Sequence, residues 1–368
     1  MISDAETAVI TQNANSLCQN VLRLNSTQNR SAKMQALDLK REEPEKLVII
    51  TNTKSEVLDN ELPRILEKAA KSTGAKVEVI HFAKGNEEEG LKKFGEGGFD
   101  VAIRLAFDSV QLTNKLEEIA QNKQMRMIEM PQADRHFFLS EVFSELQEDI
   151  YKREQSLMEI LPLTNQVFLI ADDGTDLSFK TDIWASENVD YGTFGIVAVD
   201  NFPIGEICTN ILLGTGNGKL VLHYLDSYVD GAEGVFVDEP VILTFENGEA
   251  IDIKGGESAR RLKDYLKKTS AKDNDPRAAY RLCEMAFPTS KKARFYKLGE
   301  KVTTLEAEKT RVHVAIGDHP VRDVEPTKLN TSEVHLDFLL PGVKAKVKGD
   351  TVEAIFNDKA ELQWISRK

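Results

Sequence analysis

The sequence predicts an α/β N-terminal domain with a mainly parallel sheet, followed by a larger α+β C-terminal domain whose sheet is mostly antiparallel. Three observations carry that expectation. Apolar runs of strand length alternate with amphipathic stretches of helix length from Lys46 to Leu161, the pattern of parallel βαβ units. Beyond Pro162 the apolar segments shorten and are separated by turn residues instead of helices, as antiparallel sheets require. A chain of 368 residues with 41% hydrophobic and 29% charged side chains is globular and long enough for two domains.

Taken in order, residues 1–45 read as a helix and a polar linker. Ala8, Ile10, Leu17, Val21 and Leu24 recur at helical spacing behind Asp4, a residue suited to capping. Residues 25–45 are rich in Ser, Gln, Arg, Lys and Glu and cannot bury much surface. The α/β domain is expected over 46–161. Its strands are KLVIITN, KVEVIHF, FDVAIRLAF and MRMIEMP, with helices over LDNELPRILEKAAKSTG and from Gln111 to Gln121. The first strand runs into TNTKSE, neither a G-x-G-x-x-G turn nor a P-loop, so no backbone cradle for a dinucleotide or a nucleoside triphosphate is expected there.

The β-rich domain is expected over 162–368. Asn247-Gly248 between alternating runs predicts a hairpin. Two helices are expected within it, one from Glu257 and one from Pro276 through Met285, before strand patterning returns in TRVHVAIGD, EVHLDFLL, AKVKGDTVEAIFN and AELQWI. GTGNG at 214–218 lies between strand-like runs and reads as a hairpin turn, and DDGTD at 172–176 as a solvated turn.

Lys and Arg number 47 against 60 Asp and Glu, a net charge of −13, which excludes a nucleic-acid or anionic-membrane surface and is no obstacle to a small peptide or other small-molecule partner. Cys18, Cys208 and Cys283 are odd in number and far apart. That spacing implies a reducing, cytoplasmic setting with Cys208 and Cys283 buried as packing residues. The sequence shows no basic-then-apolar leader and no apolar run of membrane-spanning length. No G-x-S-x-G elbow is present either.

The chemistry-bearing residues lie in the second half. In EVHLDFLL, His335 and Asp337 are two apart in a strand and project from one face, with Leu336 and Phe338 on the other. His313 in TRVHVAIGD is flanked by Val312 and Val314 in the same manner. Glu206 and Glu284 occupy apolar segments, where an unpaired carboxylate is costly. Imidazole and carboxylate groups from neighbouring strands form catalytic metal sites, so these five are candidate ligands, with an ordinary hydrogen-bonded pair for His335 and Asp337 and a solvated or salt-bridged carboxylate for each Glu as the alternatives.

In this order, GTDLSF, NFPIGEICT, ILTFENGEAIDIKGG, HVAIGD and EVHLDFLL resemble the motifs of the thermophilic aminopeptidases of the T and S type, dinuclear metallopeptidases. The resemblance implies metal ligation by Glu206, Glu284, His313, His335 and Asp337, a catalytic part for Glu206 and Glu284, zinc, cobalt or manganese as the metal, and a homodimer. Three features depart from that pattern. Gly317, Asp318, His319 and Pro320 stand where the family has a tyrosine, MAFPTS replaces a Gly-rich turn after Glu284, and the segment between the two His strands is short. His319 and Asp318 are the candidates to stand in for the tyrosine. A related branch, the 2,5-dihydroxypyridine dioxygenases, resembles the same fold, uses one non-haem iron, and has histidine at the position of Glu284 and an apolar residue at that of Glu206. The expected activity is amide hydrolysis near a free amino terminus. Ring-opening dioxygenation and a non-catalytic binding role are the alternatives.

Overall fold

A computed structural model describes residues 3–22, 24, 43–52, 61–82, 87–105, 110–130, 133, 135–186, 199–225, 229, 235–293, 296–298, 301–303, 307–321 and 328–368. Most of the expected polar linker (25–42), the TKSE part of the turn after the first strand, and residues 322–327 lie outside them. The chain forms two compact units, Met1–Asp149 with Asn188–Ile204, and Ile150–Glu187 with Gly205–Lys368.

In the first unit, helix α1 (Asp4–Ser16) is capped by Ser3 rather than by Asp4. The Ser3 hydroxyl accepts from the Glu6 N–H while the Glu6 carboxylate accepts from the Ser3 N–H, a reciprocal cap that satisfies two donors. The helix passes into a π turn at Leu17–Val21, so the expected regular run to residue 24 changes pitch. Strands β1 (Lys46–Asn52), β2 (Lys76–Phe82), β3 (Val101–Arg104) and β4 (Arg126–Glu129) alternate with α2 (Leu62–Ser72), α3 (Glu87–Glu96) and α4 (Val110–Asn122). The short helix α5 (Arg135–Phe138) follows, and helix α6 (Gln147–Met158) runs across the boundary into the second unit. A late strand, β7 (Val199–Asn201), returns to this sheet, whose order is β2-β1-β3-β4-β7 and whose pairings are all parallel.

The second unit holds β5 (Gln166–Ile170), β6 (Asp176–Ser186), β8 (Glu206–Ile211), β9 (Asn217–Leu225), β10 (Val235–Glu246), β11 (Glu249–Lys254) and helix α7 (Glu257–Ser270). Strand β12 (Leu282–Pro288), the ribbon β13 (Tyr296–Leu298) and β14 (Lys301–Thr303), and strands β15 (His313–Gly317), β16 (His335–Leu339), β17 (Lys344–Lys348), β18 (Val352–Phe356) and β19 (Leu362–Arg367) complete it. Twelve strands form one sheet in the order β16-β15-β12-β8-β6-β5-β17-β18-β19, with β9, β10 and β11 attached through β6. The two-part fold class, α/β with a parallel sheet and α+β with a largely antiparallel one, is as the sequence predicts.

Asn247 (φ 51°) and Gly248 (φ 80°) turn the β10–β11 hairpin as expected, because two successive positive φ values match the twist of the flanking strands. GTGNG is a turn, but not a hairpin. The strands it joins, β8 and β9, pair with other partners. The expected helix from Pro276 to Met285 is also corrected. A short 3₁₀ turn at Ala278–Tyr280 gives way to β12, which is buried along its whole length between β8 and β15. A strand covered on both sides is an unbroken apolar run, which periodicity alone cannot separate from a short helix.

Candidate metal centre

The neighbouring strands β8, β12, β15 and β16 build the site by simple alternation. Ile207 and Ile211, Met285 and Phe287, Val314 and Ile316, and Leu336 and Phe338 face one way and belong to the hydrophobic core. With a period of two, Glu206, Glu284, His313, His335 and Asp337 must face the other way. Antiparallel register sets Glu284, Ala315 and Asp337 side by side, and His313 beside Ala286. Small residues at 286 and 315 leave room above the sheet for the longer polar side chains. Gly317 ends β15 opposite His335 with φ 107°, and a Cβ there would run into the Val334 carbonyl, so only glycine lets β16 start this close.

All five candidate residues meet in one network. His335 Nε2 lies 2.9 Å from Glu284 Oε2 and 3.5 Å from Asp337 Oδ1. His313 Nε2 lies 3.8 Å from the same Asp337 oxygen and 3.6 Å from Glu206 Oε2. Ligand atoms of Glu284, His313 and Asp337 fall within 4.8 Å of one another. Each imidazole is aimed by a backbone carbonyl. His335 Nδ1 donates to Asp318 O at 2.7 Å and His313 Nδ1 to Arg311 O at 3.1 Å. A carbonyl only accepts, so the proton sits on Nδ1 and the Nε2 side is left toward the carboxylates, the arrangement found behind metal-bound histidines.

The electrostatics follow from burying three carboxylates together. Burial raises the Glu284 carboxyl above its ordinary range, Glu206 and Asp337 push the same way, and His335 opposes them. Asp337 is brought down to about 2 against the effect of burial, by His335 first and by His313 and Lys309 after it. Burial works against protonation of His335, but Asp337 and the Cys283 thiol raise it well above the usual imidazole value. The field at this point therefore favours positive charge. Asp337 Oδ1 is buried without a hydrogen-bond partner, a cost that a bound cation removes. Two imidazole nitrogens and three carboxylates with an orphaned oxygen fit a divalent metal of the zinc, cobalt, manganese or iron type.

Two further residues join the network beyond the five candidates. Lys309, in the turn before β15, is buried with Nζ 3.3 Å from Glu206 Oε2. Nothing in EAEKTRVHV distinguishes it from an exposed lysine. Cys208 is half-buried rather than packed away, and its sulfur lies within 4.8 Å of ligand atoms of Glu206 and Glu284. Its signal was available, because it is two residues from Glu206 in one strand. Cys283 is buried as expected, and burial pushes its thiol up to about 11. Of the residues at the tyrosine position, His319 accepts the Asn330 N–H through Nδ1 at 3.1 Å and the Asp318 carboxylate accepts the Ser332 N–H at 3.0 Å.

The model of a family described as 2,5-dihydroxypyridine 5,6-dioxygenase (NicX) matches residues 31–317. The chain belongs to this family of metal-binding enzymes. Its fold is similar to that of the 2,5-dihydroxypyridine dioxygenase from Pseudomonas putida KT2440, with TM-score 0.63, 16% identity, and 94% of each chain covered. It is also similar to AmpT from Thermus thermophilus, with TM-score 0.67, 14% identity, and 97% of this chain and 99% of that one covered. At these identities the likenesses establish the fold. No curated protein matches the sequence. Among the described residues no helix is long and apolar enough to cross a membrane.

Proposed function

We propose that the protein is a metal-dependent hydrolase that cleaves an amide bond beside a free amino group, with Glu206, Glu284, His313, His335 and Asp337 as its metal-site residues. One observation carries this reading. Glu206 and Glu284 enter the same network as the two imidazoles and Asp337. When bound, a divalent ion supplies polarisation of the scissile carbonyl and a lowered pKa for the attacking water. Either Glu206 or Glu284, ligating through one carboxylate oxygen, keeps the other for orienting that water. Three carboxylates attract the ammonium group of an unblocked amino terminus and repel an anionic ring diolate. The motif resemblance to the T and S aminopeptidases and the fold likeness to AmpT support the same choice.

A second reading is favoured by the family match over residues 31–317. His313, His335 and Asp337 supply two imidazoles and one carboxylate, the donor set of non-haem iron oxygenases, and the substrate would then be a dihydroxypyridine-like ring. The readings separate in a paired assay. Chelator-stripped protein loaded with zinc, cobalt or manganese is given aminoacyl anilides and short unblocked peptides, and anaerobically iron-loaded protein is given 2,5-dihydroxypyridine with oxygen uptake recorded. Hydrolysis in the first arm is expected. Oxygen uptake alone would establish the second reading, and inactivity in both arms would overturn the two together.

A further inference from the structure

We infer that Cys208 is a further metal ligand of the centre, its thiolate joining Glu206 and Glu284, and that this sulfur makes the site prefer zinc to manganese. The inference rests on the metal-site reading above and deepens it. Strand β8 alternates Glu206, Cys208 and Asn210 on one face with Ile207, Thr209 and Ile211 on the other. Cys208 therefore stands on the carboxylate face. Asn210, the next residue on that face, is committed to the Val321 backbone, donating to its carbonyl and accepting its N–H. The residues paired beside Cys208 are Ala286 of β12 and Ala185 of β6. Two methyl groups crowd the sulfur little and leave room for an ion beside it.

Distance and donor chemistry agree. The Cys208 sulfur and carboxylate oxygens of Glu206 and Glu284 all lie within 4.8 Å of one another. Zinc takes bonds of about 2.3 Å to sulfur and about 2.1 Å to oxygen, so two such donors on one ion stand at most about 4.4 Å apart. A small side-chain movement gathers the three. On binding, the ion displaces the thiol proton to solvent. A thiolate suits zinc, whereas a shell of carboxylates and water suits manganese. Cys283 does not serve in its place. Its sulfur lies 3.9 Å from His335 Nδ1, the nitrogen turned to the Asp318 carbonyl and not the one that meets the carboxylates.

Cobalt spectroscopy tests this without reference to turnover. Chelator-stripped wild type, C208S and C283S are loaded with cobalt chloride, and bound metal is counted by elemental analysis after desalting. Wild type and C283S should show the near-ultraviolet charge-transfer band of a cobalt–thiolate bond, and C208S should bind cobalt without it. In competition titrations with zinc chloride and manganese chloride, the preference for zinc should fall at least about tenfold in C208S. Alkylation by iodoacetamide gives a second readout, because Cys208 is half-buried while Cys18 and Cys283 are buried. Saturating zinc should slow alkylation of Cys208 at least about tenfold by peptide mapping. Bound cobalt without the band in wild type, or a band that survives in C208S or disappears in C283S, would overturn the inference and leave the metal-site reading standing. No bound metal in wild type would overturn that reading itself. If C208S does not fold, which circular dichroism shows, the wild-type and C283S spectra with the alkylation map decide the matter.

Discussion

The two units bury charge in different ways. In the first, Arg104 pairs with Glu129 at 2.7 Å and Arg126 pairs with Glu45, all four side chains nearly inaccessible. Each of these acids has a guanidinium partner, and Arg126 also donates to the Leu22 carbonyl. In the second unit, Glu206, Glu284 and Asp337 share one buried lysine and two histidines, and one Asp337 oxygen has no hydrogen-bond partner. Matched burial closes its own electrostatic account and serves the fold. Burial that leaves a carboxylate oxygen without a hydrogen bond is held at an energetic cost, which a bound cation relieves. The difference marks the site independently of any family likeness.

The sharpest way to break this contrast is to remove the unmatched charge. H335A and D337A each take away a donor from one strand face, so both should lose bound metal and lower kcat/KM by at least about 10³-fold. Elemental analysis beside steady-state kinetics checks this. A variant that kept its metal while losing activity would place the residue outside the ligand set.

The matched pair should behave oppositely. R104M leaves Glu129 buried without its partner, and breaking such a pair costs roughly 3–5 kcal/mol. Denaturant unfolding should show that loss, while metal stoichiometry and kcat/KM of the folded protein stay within about twofold of wild type. A large change in metal affinity from R104M would dissolve the distinction between the two kinds of burial.

What the sequence made legible follows the same division. The strand faces carrying His313, His335 and Asp337 could be read because period two fixes which residues point together, and their neighbours Val314, Leu336 and Phe338 are unambiguous core. Glu284 was assigned to the site but to the wrong element. The segment from Leu282 to Pro288 is buried on both faces, and the register that seats Glu284 beside Ala315 and Asp337 depends on pairings remote in sequence. Lys309 was illegible for another reason. Its burial comes from the turn at Ala307–Thr310 and from Glu206, which lies 103 residues earlier. Local composition carries no trace of such a partner. The return of β7 to the parallel sheet is likewise a long-range pairing, Met127 with Val199 through Glu129 with Asn201.

A smaller effect sharpens the contrast from inside the site. Burial, with the neighbouring carboxylates adding to it, raises the folded-state pKa of Glu284 above its ordinary value of 4.5. The folded protein therefore binds more protons than the unfolded chain above that pH, and its metal-free stability falls as pH rises through the window. E284Q keeps an acceptor for the 2.9 Å contact to His335 and removes the charge. In chelator at pH 7.5 the variant should be more stable than wild type, while hydrolysis is lost. Calorimetric unfolding with and without zinc measures both sides. A destabilised metal-free E284Q would mean that Glu284 belongs with the matched charges.

The smallest effect concerns a third kind of buried group, one kept neutral. His319 is buried beside the site, accepts the Asn330 N–H through Nδ1, and is lowered from 6.5 to about 4, chiefly by burial. The sign is opposite to that of Glu284. Between pH 4 and 6.5 the unfolded chain binds the proton that folded His319 refuses, so stability rises with pH through that window and is flat above it. At pH 5.5 the unfolded imidazole is mostly charged and the folded one mostly neutral, a penalty of about 1 kcal/mol. H319N places Oδ1 where Nδ1 accepts and has nothing to titrate. The variant should match wild type at pH 7.5 and lose about 1 kcal/mol less than wild type between pH 7.5 and 5.5, measured on metal-free protein by urea unfolding. Parallel pH profiles for the two proteins would show that His319 takes up its proton in the folded state and belongs with the groups that gather positive charge around the carboxylates.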